Sequence, residues 1–285
     1  MAVNQQQRIP LGSFPTPFES APDLGELLGV NELWVKRDDL SGYSWGGNKI
    51  RPIEFLLGDA IGRGSDTVVI CGGPTSNFAG LMSVACARHG LAALRIVYGS
   101  RPSRLPAALA ISLRSGAVVE FTDSPDRTSV DAAADATAHR LRLEGRRPYV
   151  LPRGGATAIG ALGFANAALE LNEQLEQNGI DDVTIVIPVG CGGTIAGLIA
   201  GWTYMLDGTS WARAVNVEII GVSVSRPPDE LRDTIRSLAS DCAVRAGYDI
   251  LRPATERCRW SLVDGRGAGF GITGEREVAL VDEIS

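Results

Sequence analysis

The 285 residues carry 27 basic and 33 acidic side chains, for a net charge of −6, with a hydrophobic share of 45%. A chain of this length buries enough core to fold as one large domain or two compact ones without disulfide or metal staples. The anionic balance, with no clustered basic stripe, argues against a nucleic-acid surface.

The polar start, Met1 to Gln7, has no secretory pattern, and no apolar run reaches membrane length, so a cytoplasmic location is expected. Residues 8 to 20 contain three prolines and read as an extended arm. Glu32 to Lys36 forms a short strand, closed by the charges of Arg37-Asp38-Asp39. The glycine-rich loop from Ser41 to Asn48 follows. Lys49 then stands at the start of a helix whose apolar side is Ile53, Phe55, Leu56, Leu57, Ala60 and Ile61.

From residue 67 short apolar strands alternate with longer amphipathic helices. Strands are predicted at Thr67–Cys71, Ala93–Tyr98, Ala117–Phe121 and Pro148–Leu151. Helices are predicted from Ser76 or Asn77 to about Arg88, at Leu105–Arg114 and at Ser129–Glu144. After a glycine-rich break at Arg153–Thr157 come helix Ile159 to about Gln177, strand Val183–Pro188, helix Ile195–Met205, strand Val217–Val222 and helix Asp229–Leu238. Helices of this length between β-branched runs imply parallel strands joined by right-handed crossovers.

Five cysteines, Cys71, Cys86, Cys191, Cys242 and Cys258, are odd in number and widely spaced without a Cys-x-x-Cys pair. They read as reduced core residues rather than a disulfide framework or zinc site. His89 and His139 are the only histidines and both fall in helical stretches, which disfavours His-based metal or triad chemistry.

Two strand-to-helix turns could bind anions. Gly190-Cys191-Gly192-Gly193-Thr194 is a nest of backbone N–H groups at a positive helix end, able to hold phosphate without a basic side chain. It lacks the Gly-Lys-Ser/Thr of a Walker loop and the spacing of a dinucleotide site. Taken alone it is also compatible with a tight structural turn. Gly72 to Asn77 likewise follows a strand; its N–H groups with Ser76 and Asn77 could take a carboxylate and the polar rim of an aromatic ring, or simply cap a helix. Lys49 is one of only two lysines, the other being Lys36. In a chain that otherwise uses arginine, which cannot form an imine, a lysine between a Gly-Gly turn and an apolar helix suggests imine chemistry.

The chain resembles the fold-type II pyridoxal-phosphate enzymes of the tryptophan-synthase β superfamily, in the branch of 1-aminocyclopropane-1-carboxylate deaminase and D-cysteine desulfhydrase. The resemblance rests on Pro15-Thr16-Pro17, Lys36 to Gly42, Gly46 to Arg51, Thr75-Ser76-Asn77, Pro152 to Gly155 and Gly190 to Gly197. It implies an α/β fold of two lobes, each with an open, mostly parallel sheet flanked by helices. Residues 1–48 and 155–285 would form the larger, phosphate-binding lobe, and 49–154 the smaller lobe with the Ser-Asn turn. By similarity Lys49 is the Schiff-base lysine and proton shuttle, and Asn77 bonds the cofactor's 3-hydroxyl. Gly190, Cys191, Gly192, Gly193 and Thr194 cradle the phosphate. Ser76, with Thr75 and Asn77, holds the substrate carboxylate.

The resemblance also implies a homodimer and a lyase or deaminase that takes a small amino acid to an oxo acid and ammonia. The alternatives are β-replacement by a second nucleophile, and a catalytically silent cofactor-binding homologue. The sequence departs from the family in four places, one being Pro74-Thr75 where an aliphatic-Gln pair is usual. Phe78 follows Asn77 where a polar residue is usual and is expected to face the substrate. Phe270, within Gly269-Phe270-Gly271, stands where relatives carry an active-site tyrosine. The family pattern continues beyond the helix expected from Glu275 to Ser285, through a segment that supplies a second tyrosine and the group facing the pyridine nitrogen.

Overall fold

The computed structural model describes residues 7–206, 215–248, 256, 258–267, 274, 275, 278, 279 and 281. The chain divides into two compact units, one of residues 1–11 with 49–163 and one of residues 12–48 with 164–285.

The first unit is a four-stranded parallel sheet of β3 (Thr67–Gly72), β4 (Ala92–Val97), β5 (Val118–Phe121) and β6 (Pro148–Leu151), in the spatial order β5-β4-β3-β6. β3 lies between β4 and β6 and is buried along its whole length, which explains its unbroken apolar run of Val68, Val69, Ile70 and Cys71. Period-2 alternation then divides the sheet between two layers. Val69, Cys71, Leu94 and Ile96 meet helix α5 (Ser129–Leu143) through Val130, Ala134 and Leu141, residues repeating at helical spacing. The opposite face of β4 carries Arg95, whose guanidinium reaches helix α4 (Ala107–Arg114). On the same unit lie α2 (Ile50–Gly62) and α3 (Asn77–Arg88).

The second unit contains a three-stranded parallel sheet, β7 (Asp182–Val189), β8 (Asn216–Ser223) and β9 (Arg259–Asp264), in that order. Helix α7 (Gly193–Leu206) is buried continuously from Ile195 to Thr203, as its nearly uniform apolar sequence requires. Helix α8 (Pro228–Arg245) buries only the stripe Leu231, Ile235, Ala239, Cys242 and Ala243. A two-stranded antiparallel ribbon, β1 (Phe18–Ser20) and β2 (Trp34–Lys36), encloses the short helix α1 (Pro22–Leu28), and Phe18 stacks on Trp34 at 4.8 Å. No described helix is long and apolar enough to cross a membrane.

Most predicted elements are present within a residue or two of their expected bounds. The extended arm ends in β1, and α1 and β9 are additional elements. α8 runs to Arg245, beyond the expected Leu238, because Ala239, Cys242 and Ala243 continue its buried stripe.

The division of the chain differs from the sequence expectation at two points. The N-terminal arm belongs with the first unit through residue 11, because Ile9 and Leu11 N–H donate to the carbonyl and carboxylate of Glu54 on α2. The second difference lies in helix α6 (Ala158–Gln177), whose first turns belong to the first unit as far as Gly163. There a Cβ on Gly163 would collide with the backbone carbonyl of Arg51, so the close approach to α2 requires glycine. Gly163→Ala is accordingly expected to cost about 1–3 kcal/mol through overpacking, read as a lower midpoint of chemical unfolding.

Candidate functional site

Lys49 is half-buried and occupies the N-cap of α2, the first residue of the first unit after the chain leaves the second. The loop before it needs its glycines: Gly46 has φ +73°, and a Cβ there would strike the carbonyl of Asp39. Ser41 Oγ donates to the Gly47 carbonyl at 3.2 Å, tying the loop to the segment that follows β2.

The other lysine has a structural role. Lys36 Nζ donates to the Thr16 carbonyl at 2.7 Å and to Gln174 Oε1 at 2.6 Å, and pairs with Glu170. Gln174 Nε2 also donates to the Thr16 carbonyl, and Thr16 N–H to Glu170, so the amine anchors the N-terminal arm to α6 within the second unit.

In the first unit, β3 runs into the turn Gly73–Ser76 and then α3. Ser76 N–H donates to the Gly73 carbonyl at 3.1 Å, closing the turn, and Ser76 is the N-cap, its Oγ accepting from Ala79 N–H at 3.3 Å. Capping uses the oxygen as acceptor and leaves the Ser76 hydroxyl proton available. The backbone N–H groups of Thr75, Asn77 and Phe78 have no acceptor among the described residues, and the Asn77 side-chain amide makes no hydrogen bond there. Thr75 and Asn77 are exposed and Ser76 is half-buried. Three backbone N–H groups, the Ser76 hydroxyl and the Asn77 amide thus lie on one turn at the carboxyl end of a central parallel strand, where α/β folds place ligands.

Phe78 is placed differently from expectation. Its ring is 2% exposed and lies against Gly155, where a Cβ would come within 2.5 Å of the ring, so it supports the turn from inside the unit. The reason is helical geometry: the second residue of α3 projects toward the sheet, while its N–H points along the helix axis to the open end. What Phe78 offers a ligand is therefore a backbone donor rather than a phenyl wall.

In the second unit, β7 ends at Val189 and α7 begins at Gly193. Gly192 has φ +88°, a left-handed conformation, and a Cβ there would lie 3.0 Å from Ile235 on α8. This bend exposes successive N–H groups: those of Cys191, Gly192, Gly193 and Thr194 have no acceptor among the described residues. Ser225 Oγ donates to the Gly190 carbonyl at 2.8 Å and fixes the base of the turn. A row of unsatisfied donors at a helix N-terminus fits a dianionic phosphate group. Gly269, Phe270 and Gly271 lie outside the described residues.

Cys71, Cys86, Cys242 and Cys258 are buried, and burial pushes each thiol up to about 12; Cys191, in the phosphate-type turn, is only half-buried. His89 and His139 are exposed on helices, His89 against the Ala85 carbonyl at 2.9 Å.

Sequence reasoning passed over Arg95, which was read only as part of a strand. It is fully buried, and its Nη2 donates to the carbonyls of Gly73 at 2.6 Å and Pro74 at 3.2 Å, immediately before the open donors. The available signal was a lone arginine inside the apolar run Ala92 to Val97.

Comparison with known proteins shows which family the chain resembles in sequence and fold. The family profile described as "Pyridoxal-phosphate dependent enzyme" matches residues 9–276. A Pyrococcus abyssi protein named, provisionally, as a 1-aminocyclopropane-1-carboxylate deaminase is 34% identical over 245 residues, covering 85% of this chain and 70% of that protein. The D-cysteine desulfhydrase of Salmonella newport is 33% identical over 257 residues, covering 85% and 73%. Among solved structures, an ACC deaminase homologue superimposes with a TM-score of 0.86 at 29% identity, covering 99% of this chain and 81% of its own. Escherichia coli diaminopropionate ammonia lyase, in complex with an aminoacrylate-PLP azomethine reaction intermediate, shares the fold at a TM-score of 0.60 and 19% identity, covering 92% and 69%.

Burial makes a direct test of the phosphate turn possible. In the native protein one of the five thiols, Cys191, should react with a bulky aromatic disulfide reagent, all five reacting once unfolded. Pyridoxal phosphate should slow the native reaction, and pyridoxal, which lacks the phosphate, should protect less. Thiol counting with peptide mapping checks both.

Proposed function

Because the chain belongs to the pyridoxal-phosphate-dependent enzyme family, we propose that it is a lyase or deaminase releasing an oxo acid and ammonia from a small amino acid, by β-elimination or deamination. The names of its relatives, a deaminase and a D-cysteine desulfhydrase, support that reaction class. The observation that carries the substrate side is the turn at residues 75–78: three unsatisfied N–H groups and the Ser76 hydroxyl form a donor set matched to one carboxylate.

Pyridoxal phosphate, when bound, supplies an electron sink for negative charge developing at the substrate Cα. The N–H groups of Cys191, Gly192, Gly193 and Thr194 would hold its phosphate, the Asn77 amide its 3-hydroxyl, and Lys49 its aldehyde carbon. Lys49 Nζ would also be the base that moves a proton at the substrate Cα. Ser76 and its neighbours fix the carboxylate and with it the orientation of the bonds at Cα. A cytoplasmic homodimer is part of this reading through the family resemblance.

The test is incubation of the holoenzyme with D- and L-cysteine, D- and L-serine and 1-aminocyclopropane-1-carboxylate, measuring ammonia and oxo acid without a co-substrate. Release from one of these is expected, and Lys49→Ala should reduce it by about 10²–10⁴-fold or more. Borohydride should fix cofactor to the peptide containing residue 49 in the wild type and not in the variant. Turnover only on addition of a second nucleophile would replace this reading with β-replacement, and a visible spectrum unmoved by every amino acid would establish a silent homologue.

A further inference from the structure

The anion-type turn of the first unit is held from beneath by a charge that has no counter-ion among the described residues. Arg95 lies in β4, paired on both sides by β3 and β5, and is fully buried. Its guanidinium contacts only neutral oxygens: Nη1 donates to the Ala108 carbonyl at 3.1 Å and Ser112 Oγ at 3.0 Å on α4, and Nη2 to the Gly73 and Pro74 carbonyls. Nε has no partner, and no carboxylate pairs with the group among the described residues. Burial pushes the guanidinium down to about 10, so it stays protonated at neutral pH.

A buried, unpaired cation is unusual, because desolvation is normally offset by an opposite charge. Its contacts indicate what it does. In a trans peptide C=O and N–H point in opposite directions, so drawing the Pro74 carbonyl toward Arg95 turns the Thr75 N–H away from it, to the open side of the turn. Tyr98 confines the same segment: a Cβ on Gly73 would lie 2.6 Å from its hydroxyl oxygen. Gly73 and Pro74 are therefore fixed by a guanidinium and a phenol, and the donors of Thr75, Asn77 and Phe78 begin immediately after them.

We propose that Arg95 is the positioning residue of the carboxylate turn: it sets the direction of the turn's donors, and its unneutralised charge makes the turn select an anion over a neutral isostere. The proposal rests on the reading of residues 75–78 as the substrate-carboxylate site. It gives that site a specificity rule, that a free carboxylate is required and a carboxamide is discriminated against by charge as well as by hydrogen bonding.

The test uses the holoenzyme with glycine, an achiral minimal amino acid, and glycinamide, each titrated against the visible cofactor band. The wild type should bind glycine at least about tenfold more tightly than glycinamide. In Arg95→Gln the glycine dissociation constant should rise by about tenfold or more, with the glycinamide and pyridoxal phosphate constants unchanged. Arg95→Lys, which keeps the charge but not the fork, should weaken glycine less than Arg95→Gln does while keeping the preference for glycine over glycinamide.

Equal weakening of glycine and glycinamide in Arg95→Gln, or glycine binding unchanged in that variant, would reduce Arg95 to a structural residue and overturn the proposal. Loss in Arg95→Lys as large as in Arg95→Gln would overturn the role of charge. If Arg95→Gln does not fold, Arg95→Lys decides: retention of the glycine preference supports the proposal, and its loss overturns it. A wild type that binds glycine and glycinamide alike would instead remove the carboxylate reading of the turn itself, a failure visible before any variant is made.

Discussion

The first N–H groups of an α-helix have no carbonyl of their own helix to bond, and the proposed binding turns of this chain depend on where those donors are left open. Some helix starts here are partly satisfied locally: the Asp126 carboxylate and carbonyl accept from Thr128 and Ser129 ahead of α5, Thr157 Oγ1 accepts from Gly160 in α6, and α8 begins with prolines, which have no N–H. α3 and α7 follow parallel strands directly, and with the turns before them each leaves a run of N–H groups without an acceptor among the described residues. α7 has only glycines, Cys191 and Thr194 at its start, with no acidic cap to compete for an anion, and α3 uses Ser76 to satisfy one donor while leaving the others. An anionic protein can in this way hold two anionic groups through backbone dipoles.

Much of this was legible in the sequence because parallel α/β units announce themselves twice, in the alternation of apolar runs with 3.6-period segments and in the glycines and small polar residues between them. The strands from Thr67 to Leu151 and the turn at 190–194 follow from such local signals. Two features were not legible. The allocation of residues 155–163 depends on Gly163 fitting against the Arg51 backbone, a contact between positions 112 apart that no local pattern reveals. The inward turn of the Phe78 ring depends on which side of α3 faces the sheet, which becomes fixed only once the layers are stacked.

Arg95 shows why a binding turn needs support beneath it as well as donors above. A loop offering unsatisfied N–H groups is unstable unless its carbonyls are satisfied elsewhere, since both belong to the same peptide planes. In β3–α3 the carbonyls of Gly73 and Pro74 turn inward to a guanidinium, and Gly155 leaves room for the Phe78 ring below the helix start. Donor direction, carbonyl burial and ring packing are then consequences of one arrangement. Changing any of them moves the others, which is the physical basis of the proposed positioning role of a residue with no access to solvent.

The two lysines allow a last step of exclusion. An amine that is to react with an aldehyde must be free to reach it. Lys36 is tied down instead: a carbonyl, an amide oxygen and a carboxylate surround Nζ, and the carboxylate of Glu170 also receives the Thr16 N–H. Its chemistry explains why it is a lysine in an arginine-rich chain, since a compact, three-donor head suits that tripod better than a planar fork. With Lys36 accounted for, Lys49 is the remaining lysine side chain that can supply the imine nitrogen the family requires. Its position at the head of α2, on the residue where the chain passes between units, puts that nitrogen on a rigid helix start behind a glycine turn.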